Sequence, residues 1–162
     1  MPIAIYPGSF DPITYGHIDI AVRASRIFSK VIAVVAPNAA KTNPLFSVTE
    51  RIDMVRTALG DIDNIEVVTY DGLIVNCLTD YKATAIIRGL RALSDFEYEF
   101  QMAYTNREML ASAETIFLMP SAKYTYLNSS LVKQISRLGG DVTSFVPPCV
   151  QKLLAEKFST KK

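Results

Sequence analysis

Ile3-Ala4-Ile5-Tyr6-Pro7-Gly8-Ser9-Phe10-Asp11-Pro12-Ile13-Thr14-Tyr15-Gly16-His17 is the stretch that decides the fold. The apolar run 3–6 reads as a short buried strand ending at Pro7. A turn-rich loop follows from Gly8, and a helix opens at Gly16 or His17. The single histidine of the 162 residues stands at that strand-to-helix junction. The first turn of a helix leaves several backbone N–H groups without intrahelical partners, so the junction suits an anion.

Outward from this stretch, strand-like and helix-like segments alternate. Ile20, Ala21, Ala24, Ile27 and Phe28 fall on one helical face. The continuous run 31–36 is rich in β-branched residues, as expected of a strand buried on both sheet faces. Ser47 and Glu50, in S-V-T-E, form a capping box that opens a helix with Val48, Ile52, Val55 and Leu59 inward and Gly60 at its end. A strand at 65–70, a helix at 73–81 and a short strand at 85–87 follow. Phe96, Phe100 and Ala103 line one face of the next helix, and 115–119 reads as a fifth strand. The helix 129–138 turns Leu131, Val132, Ile135 and Leu138 inward, with Gly139-Gly140 behind it, and a short helix follows Pro147-Pro148. This order predicts an α/β fold in which a five-stranded parallel sheet carries helices on both faces, as a single domain over 1–162. In such sheets ligands bind beyond the carboxyl ends of the strands, where the strand order reverses.

The composition narrows the function. The chain is 49% hydrophobic and 20% charged, with a formal net charge of +1. No strong field recruits nucleic acid or a membrane, so an anionic ligand must be met by cations placed locally. Cys77 and Cys149 match no metal or redox spacing and read as buried, reduced thiols of a cytosolic protein. Apolar runs such as 31–36 are too short to span a bilayer, and no secretory leader is expected before the first strand, which predicts a cytoplasmic location.

Candidate chemistry clusters where the strands end. Gly8 and Gly16 allow close backbone approach to a ligand, Ser9 offers a hydroxyl, and His17 can donate a ring N–H to a phosphate oxygen; the alternative role for His17 is a helix cap. In I-I-R-G-L-R, Arg88 and Arg91 flank a glycine directly after a strand and offer forked donors suited to phosphate, or else form salt bridges with Asp95 or Glu97. Lys41 lies in the loop after the second strand. Asn128, Ser129 and Ser130 occupy a helix start, where they grip phosphates or serve as ordinary N-caps. Glu99, in the helix after Arg91, faces ligand or pairs with an arginine. The patterns G-x-G-x-x-G and G-x-x-x-x-G-K-[ST] are absent, which argues against a dinucleotide cofactor and a P-loop. No metal-ligand spacing and no Ser-His-Asp arrangement stands out. A ring of phosphate grips without nucleophile or base points to phosphoryl or nucleotidyl transfer, where positioning and charge stabilisation carry catalysis.

These residues resemble the phosphopantetheine adenylyltransferases over nearly the whole length. The motifs are Y-P-G-S-F-D-P-I-T-Y-G-H at 6–17, I-I-R-G-L-R-A-L-S-D-F-E-Y-E at 86–99, N-S-S-L-V-K at 128–133 and G-G-D-V-T-S-F-V-P-P at 139–148. T-x-G-H belongs to the wider nucleotidyltransferase superfamily, while R-G-L-R with D-F-E-Y-E is far more specific. The resemblance implies a Rossmann-like nucleotidyltransferase domain that joins ATP and 4′-phosphopantetheine into dephospho-coenzyme A and pyrophosphate, by in-line attack without a covalent enzyme intermediate. It implies that His17 stabilises the transition state, with Arg91 also catalytic. ATP would be held by Ser9, Phe10, His17, Gly89, Leu90, Arg91, Glu99, Tyr124, Thr125, Tyr126, Leu127, Asn128, Ser129 and Ser130, and the acceptor by Ser9, Lys41, Ile74 and Arg88. Magnesium would travel with the triphosphate rather than occupy a protein metal site. A cytoplasmic homohexamer with coenzyme A as feedback inhibitor is implied as well.

The chain departs from the family pattern at a few places. Serine stands at 9 where threonine is also common, asparagine at 128 where serine is usual, 111–113 lacks a proline, and the loop 38–43 differs, which makes Lys123 the alternative to Lys41. Two rivals remain. One is a T-x-G-H nucleotidyltransferase acting on nicotinate mononucleotide or glycerol phosphate, against which R-G-L-R weighs. The other is a catalytically silent nucleotide-binding protein, against which the retention of His17, Arg88, Arg91 and the serines weighs.

Overall fold

The computed structural model describes residues 2–37 and 43–159. Five strands are β1 (Ile3–Gly8), β2 (Lys30–Val35), β3 (Ile65–Thr69), β4 (Ala85–Gly89) and β5 (Glu114–Leu118). The helices are α1 (Tyr15–Ile27), α2 (Val48–Leu59), α3 (Ile74–Asp80), α4 (Leu93–Met109), α5 (Ser129–Arg137) and α6 (Pro148–Ser159). Every strand-to-strand connection contains a helix, and every strand pairing is parallel. The sheet order is β3-β2-β1-β4-β5, so the chain builds outward from β1 in one direction and then restarts on its other side. The reversal lies between β1 and β4, whose carboxyl ends therefore frame a cleft.

Alternation along the strands divides the interior in two. Ala4, Tyr6, Val31, Ala33, Val35, Ala85 and Ile87 face one cluster, which receives α1, α2, α5 and α6 through Ile20, Ala24, Met54, Val55, Val132, Val150 and Leu154. Ile5, Ile32, Val34 and Ile86 face the other, closed by Val75, Cys77 and Leu78 of α3 and by Leu110 beyond α4. Both faces of the sheet are covered, as the hydrophobic runs predict. Cys77 is buried, and burial pushes its thiol up to about 11, so it is a weak nucleophile; Cys149 is only half-buried.

Two residues placed on the apolar faces of their helices turn outward. Ile27 is 57% exposed, because it is the last residue of α1 and the extended Phe28 takes the inward place. Leu138 is 78% exposed, because it caps α5 just before the chain reverses at Gly139. Phe96 and Phe100 lie on an exposed face of α4. The S-V-T-E capping box is present, with Ser47 Oγ accepting from Glu50 N–H and Glu50 Oε2 accepting from Ser47 N–H. A 3-10 turn, Ala122–Tyr124, precedes α5 and had no signal in the pattern of apolar residues.

Gly139 has a φ of +79°, and its own amide and the next one complete the helix end: Gly139 N–H donates to Ser136 O and Gly140 N–H to Ile135 O. A Cβ added at Gly139 would meet nothing within 4 Å, so the cost of replacing it is conformational only. Gly139→Ala is expected to lower unfolding free energy by about 1–2 kcal/mol without altering the fold, read from urea denaturation; an unchanged midpoint would contradict the left-handed cap.

Candidate active site

The helix α1 begins with a reciprocal pair of hydrogen bonds. Thr14, extended at the N-cap, accepts His17 N–H on Oγ1, and Thr14 N–H donates to His17 Nδ1 at 3.0 Å. A histidine thus takes the third helical position, where a glutamate or glutamine is usual. The two roles weighed for His17 are therefore one: it caps the helix and it lines the site. A ring nitrogen that accepts an amide hydrogen carries no proton, so in the neutral ring the hydrogen sits on Nε2. The edge of Phe10 supports the ring, with centroids 5.2 Å apart.

His17 faces a cavity of about 470 Å³, a size typical of small-molecule sites. Gly8, Ser9, Thr14 and Gly16 line it from the β1–α1 loop, Arg88, Gly89 and Arg91 from the end of β4, Asp95 and Glu99 from α4, and Leu127 to Ser130 from the start of α5. The cavity sits at the reversal in strand order.

Both arginines are anchored. Arg88 grips Glu99 with two bonds, Nε to Oε2 at 2.7 Å and Nη2 to Oε1 at 2.6 Å, and reaches across to Pro7 O with Nη1 at 2.9 Å. Burial works against the guanidinium's charge, but the Glu99 hydrogen bonds and carboxylate outweigh it and hold the Arg88 pKa above its ordinary value. Arg91 pairs with Asp95 and donates to Leu127 O at 2.8 Å, which ties β4 to the approach of α5. The salt-bridge alternative is thus realised with Asp95 and Glu99, not Glu97, and both arginines still line the cavity. Tyr6 lies on the cavity wall, and burial raises its phenol far above the usual range despite the facing arginines. It is an uncharged part of the wall.

The start of α5 is built for exposure of its amides. Asn128 is the cap, its Oδ1 accepting from Leu131 N–H at 2.8 Å, so the substitution of asparagine keeps the capping role. Ser129 Oγ donates to Pro12 O at 2.7 Å and pins the helix to the β1–α1 loop. Asp11, 4% exposed, accepts from Leu45 N–H, Phe46 N–H and Lys133 Nζ, joining that loop to the entry of α2 and to α5.

Not every expected site residue reaches the cavity wall. Phe10 is 1% exposed and packs on Tyr6 and His17. Tyr124 stacks on Tyr15, Tyr126 packs its edge against Phe145, and Leu90 is fixed by its N–H to Leu118 O. Thr125 bonds Ala122 O, and Ile74 packs at the start of α3 against the second core cluster. Lys41 lies outside the described residues. Lys123 sits over the Tyr124 ring, 4.7 Å from its centroid, and is not on the cavity wall.

Sequence reading missed Tyr6, Asp11 and the capping role of Thr14, while Asp95 was read only as a salt-bridge partner. Of these only Thr14 had a signal, three residues ahead of His17 at a helix start. It also missed Asn106, which is buried on α4 with its Oδ1 lacking a partner, and Arg51, buried on α2. Among the described residues no group of three His, Cys, Asp or Glu could hold a metal ion, and no helix is long and apolar enough to cross a membrane.

Fold and cavity are those of a nucleotidyltransferase-class α/β protein, and residues 5–135 match the cytidylyltransferase-like family. The phosphopantetheine adenylyltransferase of Geotalea daltonii is 54% identical over 159 residues, covering 98% of each chain. Those of Caldanaerobacter subterraneus subsp. tengcongensis and Geobacter metallireducens are 55% and 53% identical, over 98% and 97% of this chain and 98% and 96% of theirs. A solved structure from Vibrio parahaemolyticus, titled as a candidate nicotinate-nucleotide adenylyltransferase, superposes with a TM-score of 0.69 over 100% of this chain and 98% of its own, at 18% identity, and so speaks for the fold alone. The chain belongs to the phosphopantetheine adenylyltransferases.

Asp19 on α1 fastens the segment that leads into α5. Its carboxylate accepts from Ser121 N–H, Ser121 Oγ–H and Arg23 Nε. Burial opposes ionisation, but the Ser121 and Arg23 hydrogen bonds win and lower the Asp19 pKa. A carboxyl depressed in the folded state stabilises above its unfolded pKa, about 3.9, and that contribution is lost as pH falls through the folded value. Asp19→Asn is expected to lose less melting temperature than wild type between about pH 5 and pH 3. Equal losses in thermal scans would remove Asp19 from the acid response.

Proposed function

We propose that this cavity carries out adenylyl transfer by direct displacement, an oxygen of the 4′-phosphopantetheine phosphate attacking the α-phosphorus of ATP. The new bond is acceptor oxygen to α-phosphorus. The bond that breaks joins the α-phosphorus to the bridging oxygen, and pyrophosphate leaves with that electron pair. The acceptor phosphate is already an anion, so no base is needed, which fits a cavity wall whose two carboxylates, Asp95 and Glu99, are both engaged by arginines. Positioning and charge stabilisation then supply the acceleration.

One observation carries the proposal: the Thr14 amide fixes His17 so that Nε2–H is its donor, in the same cavity as Arg88, Arg91 and the start of α5. That N–H would meet the α-phosphate oxygen as charge builds there. Of five guanidinium N–H donors, Arg88 and Arg91 each spend three on protein partners, so two on each stay available for phosphate. The amides of Ser129 and Ser130 would hold the nucleotide phosphates, with Ser9 and Phe10 contacting them from the loop after β1. Lys41, with Arg88, would hold the acceptor phosphate. Ile74 would line the channel for the pantetheine arm, and the unpartnered Oδ1 of Asn106, on the α4 face that also carries Glu99, suits an amide N–H of that arm. Magnesium would be carried by the triphosphate itself, since Asp95 and Glu99 are engaged by the arginines.

The protein is proposed to act in the cytoplasm as a homohexamer, with coenzyme A as feedback inhibitor. The exposed aromatic run Phe96, Phe100 and Tyr104, with ring centroids 5.4 and 4.6 Å apart, supports burial of α4 against further copies. Light scattering is expected to give six copies per particle, and Phe100→Glu to reduce that number; a wild-type monomer would refute the assembly.

Incubation with ATP, magnesium and 4′-phosphopantetheine is expected to yield dephospho-coenzyme A by mass analysis, with nicotinate mononucleotide and glycerol phosphate inert. His17→Ala should lower kcat by about 10²–10³ or more while ATP affinity changes much less. Near-normal turnover in that variant would remove His17 from the chemistry.

A further inference from the structure

Arg51 is 1% exposed, and no carboxylate pairs with it among the described residues. The other cations around the β1–α1 loop are matched: Arg88 by Glu99, Arg91 by Asp95, Lys133 by Asp11. A buried guanidinium with neutral partners only is costly to keep, and its planar fork is only partly used. Its Nη1 donates to Ser9 O at 2.6 Å and to Ala36 O at 2.9 Å, while Nε has no partner. These two carbonyls begin the loops that leave β1 and β2 at the carboxyl edge of the sheet.

Ser9 lines the cavity and Arg51 does not, so the guanidinium meets the Ser9 carbonyl from off the cavity wall. In a trans peptide the C=O and the following N–H point in opposite directions. With Ser9 O drawn toward Arg51, Phe10 N–H is turned the other way, and it has no acceptor among the described residues. Phe10 holds a φ of +48°, a conformation that a side-chain-bearing residue adopts only when its surroundings impose it.

We propose that Arg51 is a positioning residue for adenylyl transfer: from behind the loop it orients the Ser9–Phe10 peptide with its N–H toward the cavity, and it supplies there a positive charge left for the substrates' phosphates to balance. Arg51 touches no reacting atom and acts through Ser9. The proposal rests on the adenylyl-transfer assignment of the cavity.

The test compares wild type, Arg51→Ala and Arg51→Lys by release of pyrophosphate from ATP and 4′-phosphopantetheine, with circular dichroism and melting temperature as controls for folding. Folded Arg51→Ala is expected to lose about a hundredfold in kcat, with a smaller change in KM for ATP. Guanidinium chloride at low, non-denaturing concentration should restore at least tenfold of that loss, while methylammonium restores none and wild type is indifferent. A role in packing alone would show no such selectivity. Arg51→Lys, which keeps the charge, is expected to fold and to lie between the other two.

Unaltered kcat in folded Arg51→Lys together with a folded, unrescued Arg51→Ala overturns the proposal. If Arg51→Ala does not fold, Arg51→Lys decides alone: a kcat reduced about tenfold near the wild-type melting temperature supports the proposal, and an unaltered kcat overturns it. Failure of both to fold would make Arg51 a folding requirement and also overturn it. A wild type that releases no pyrophosphate refutes adenylyl transfer itself; an active wild type beside an unimpaired Arg51→Lys refutes only the role of Arg51.

Discussion

Thr14 and His17 hold one another across the first turn of α1, and the rest of the site is arranged around that pair. Two backbone amides that a helix start leaves orphaned, those of Thr14 and His17, are taken up by the two side chains. Caps of this kind contribute about 1 kcal/mol, a modest sum. The larger consequence is directional. Bonding Nδ1 to a backbone amide fixes both the ring plane and the nitrogen that keeps the hydrogen, as the hydrogen-bond partners of metal-ligating histidines do. The helix start and the proton position are secured by the same contacts, so neither can drift without the other.

Charge is arranged with similar economy. Arg88 and Glu99, Arg91 and Asp95, and Lys133 and Asp11 are three ion pairs in or beside the cavity. An arginine left bare in such a place would bear a desolvation cost in the empty protein; a bidentate carboxylate offsets it and also sets the fork at a defined angle. The consequence is a wall of low net charge when empty that still presents N–H groups to an anion. This agrees with a chain whose net charge is only +1, where attraction of a polyanion must be local rather than long-range.

The alternation of apolar runs was sufficient to read the five strands and the crossover helices, because strands buried on both faces leave continuous hydrophobic stretches that nothing else explains. The arrival of Gly8, His17, Arg88, Arg91 and Ser129 at one cavity followed from that topology, since each lies at a strand's carboxyl end or in the connection and helix that leave it. What stayed hidden depends on distance in sequence. Asp11 and Lys133 meet over 122 positions, and Arg51 meets Ser9 over 42, with no local pattern to announce either. Helix ends were the other weak point: Ile27 and Leu138 satisfy the helical period yet point outward, because the period says nothing about where the last turn stops. Periodicity placed Phe96 and Phe100 on one face of α4, but it cannot tell an internal face from an exposed one, which this face is.

The β1–α1 loop shows how these pieces combine. Three carbonyls in it and just before it are held by three different elements: Pro7 O, at the end of β1, by Arg88 of the neighbouring β4, Ser9 O by Arg51 on α2, and Pro12 O by Ser129 on α5. Between them, the Asp11 side chain accepts amides from the entry of α2. A loop rich in glycine and proline has few backbone bonds of its own, so its shape must be imposed from outside. The Ser9 carbonyl, drawn toward Arg51, turns the Phe10 N–H the other way. A loop held in this way keeps its shape through contacts made by the rest of the fold. The order β2-β1-β4 is what makes this possible, because it sets helices and arginines from both halves of the chain around a single strand end.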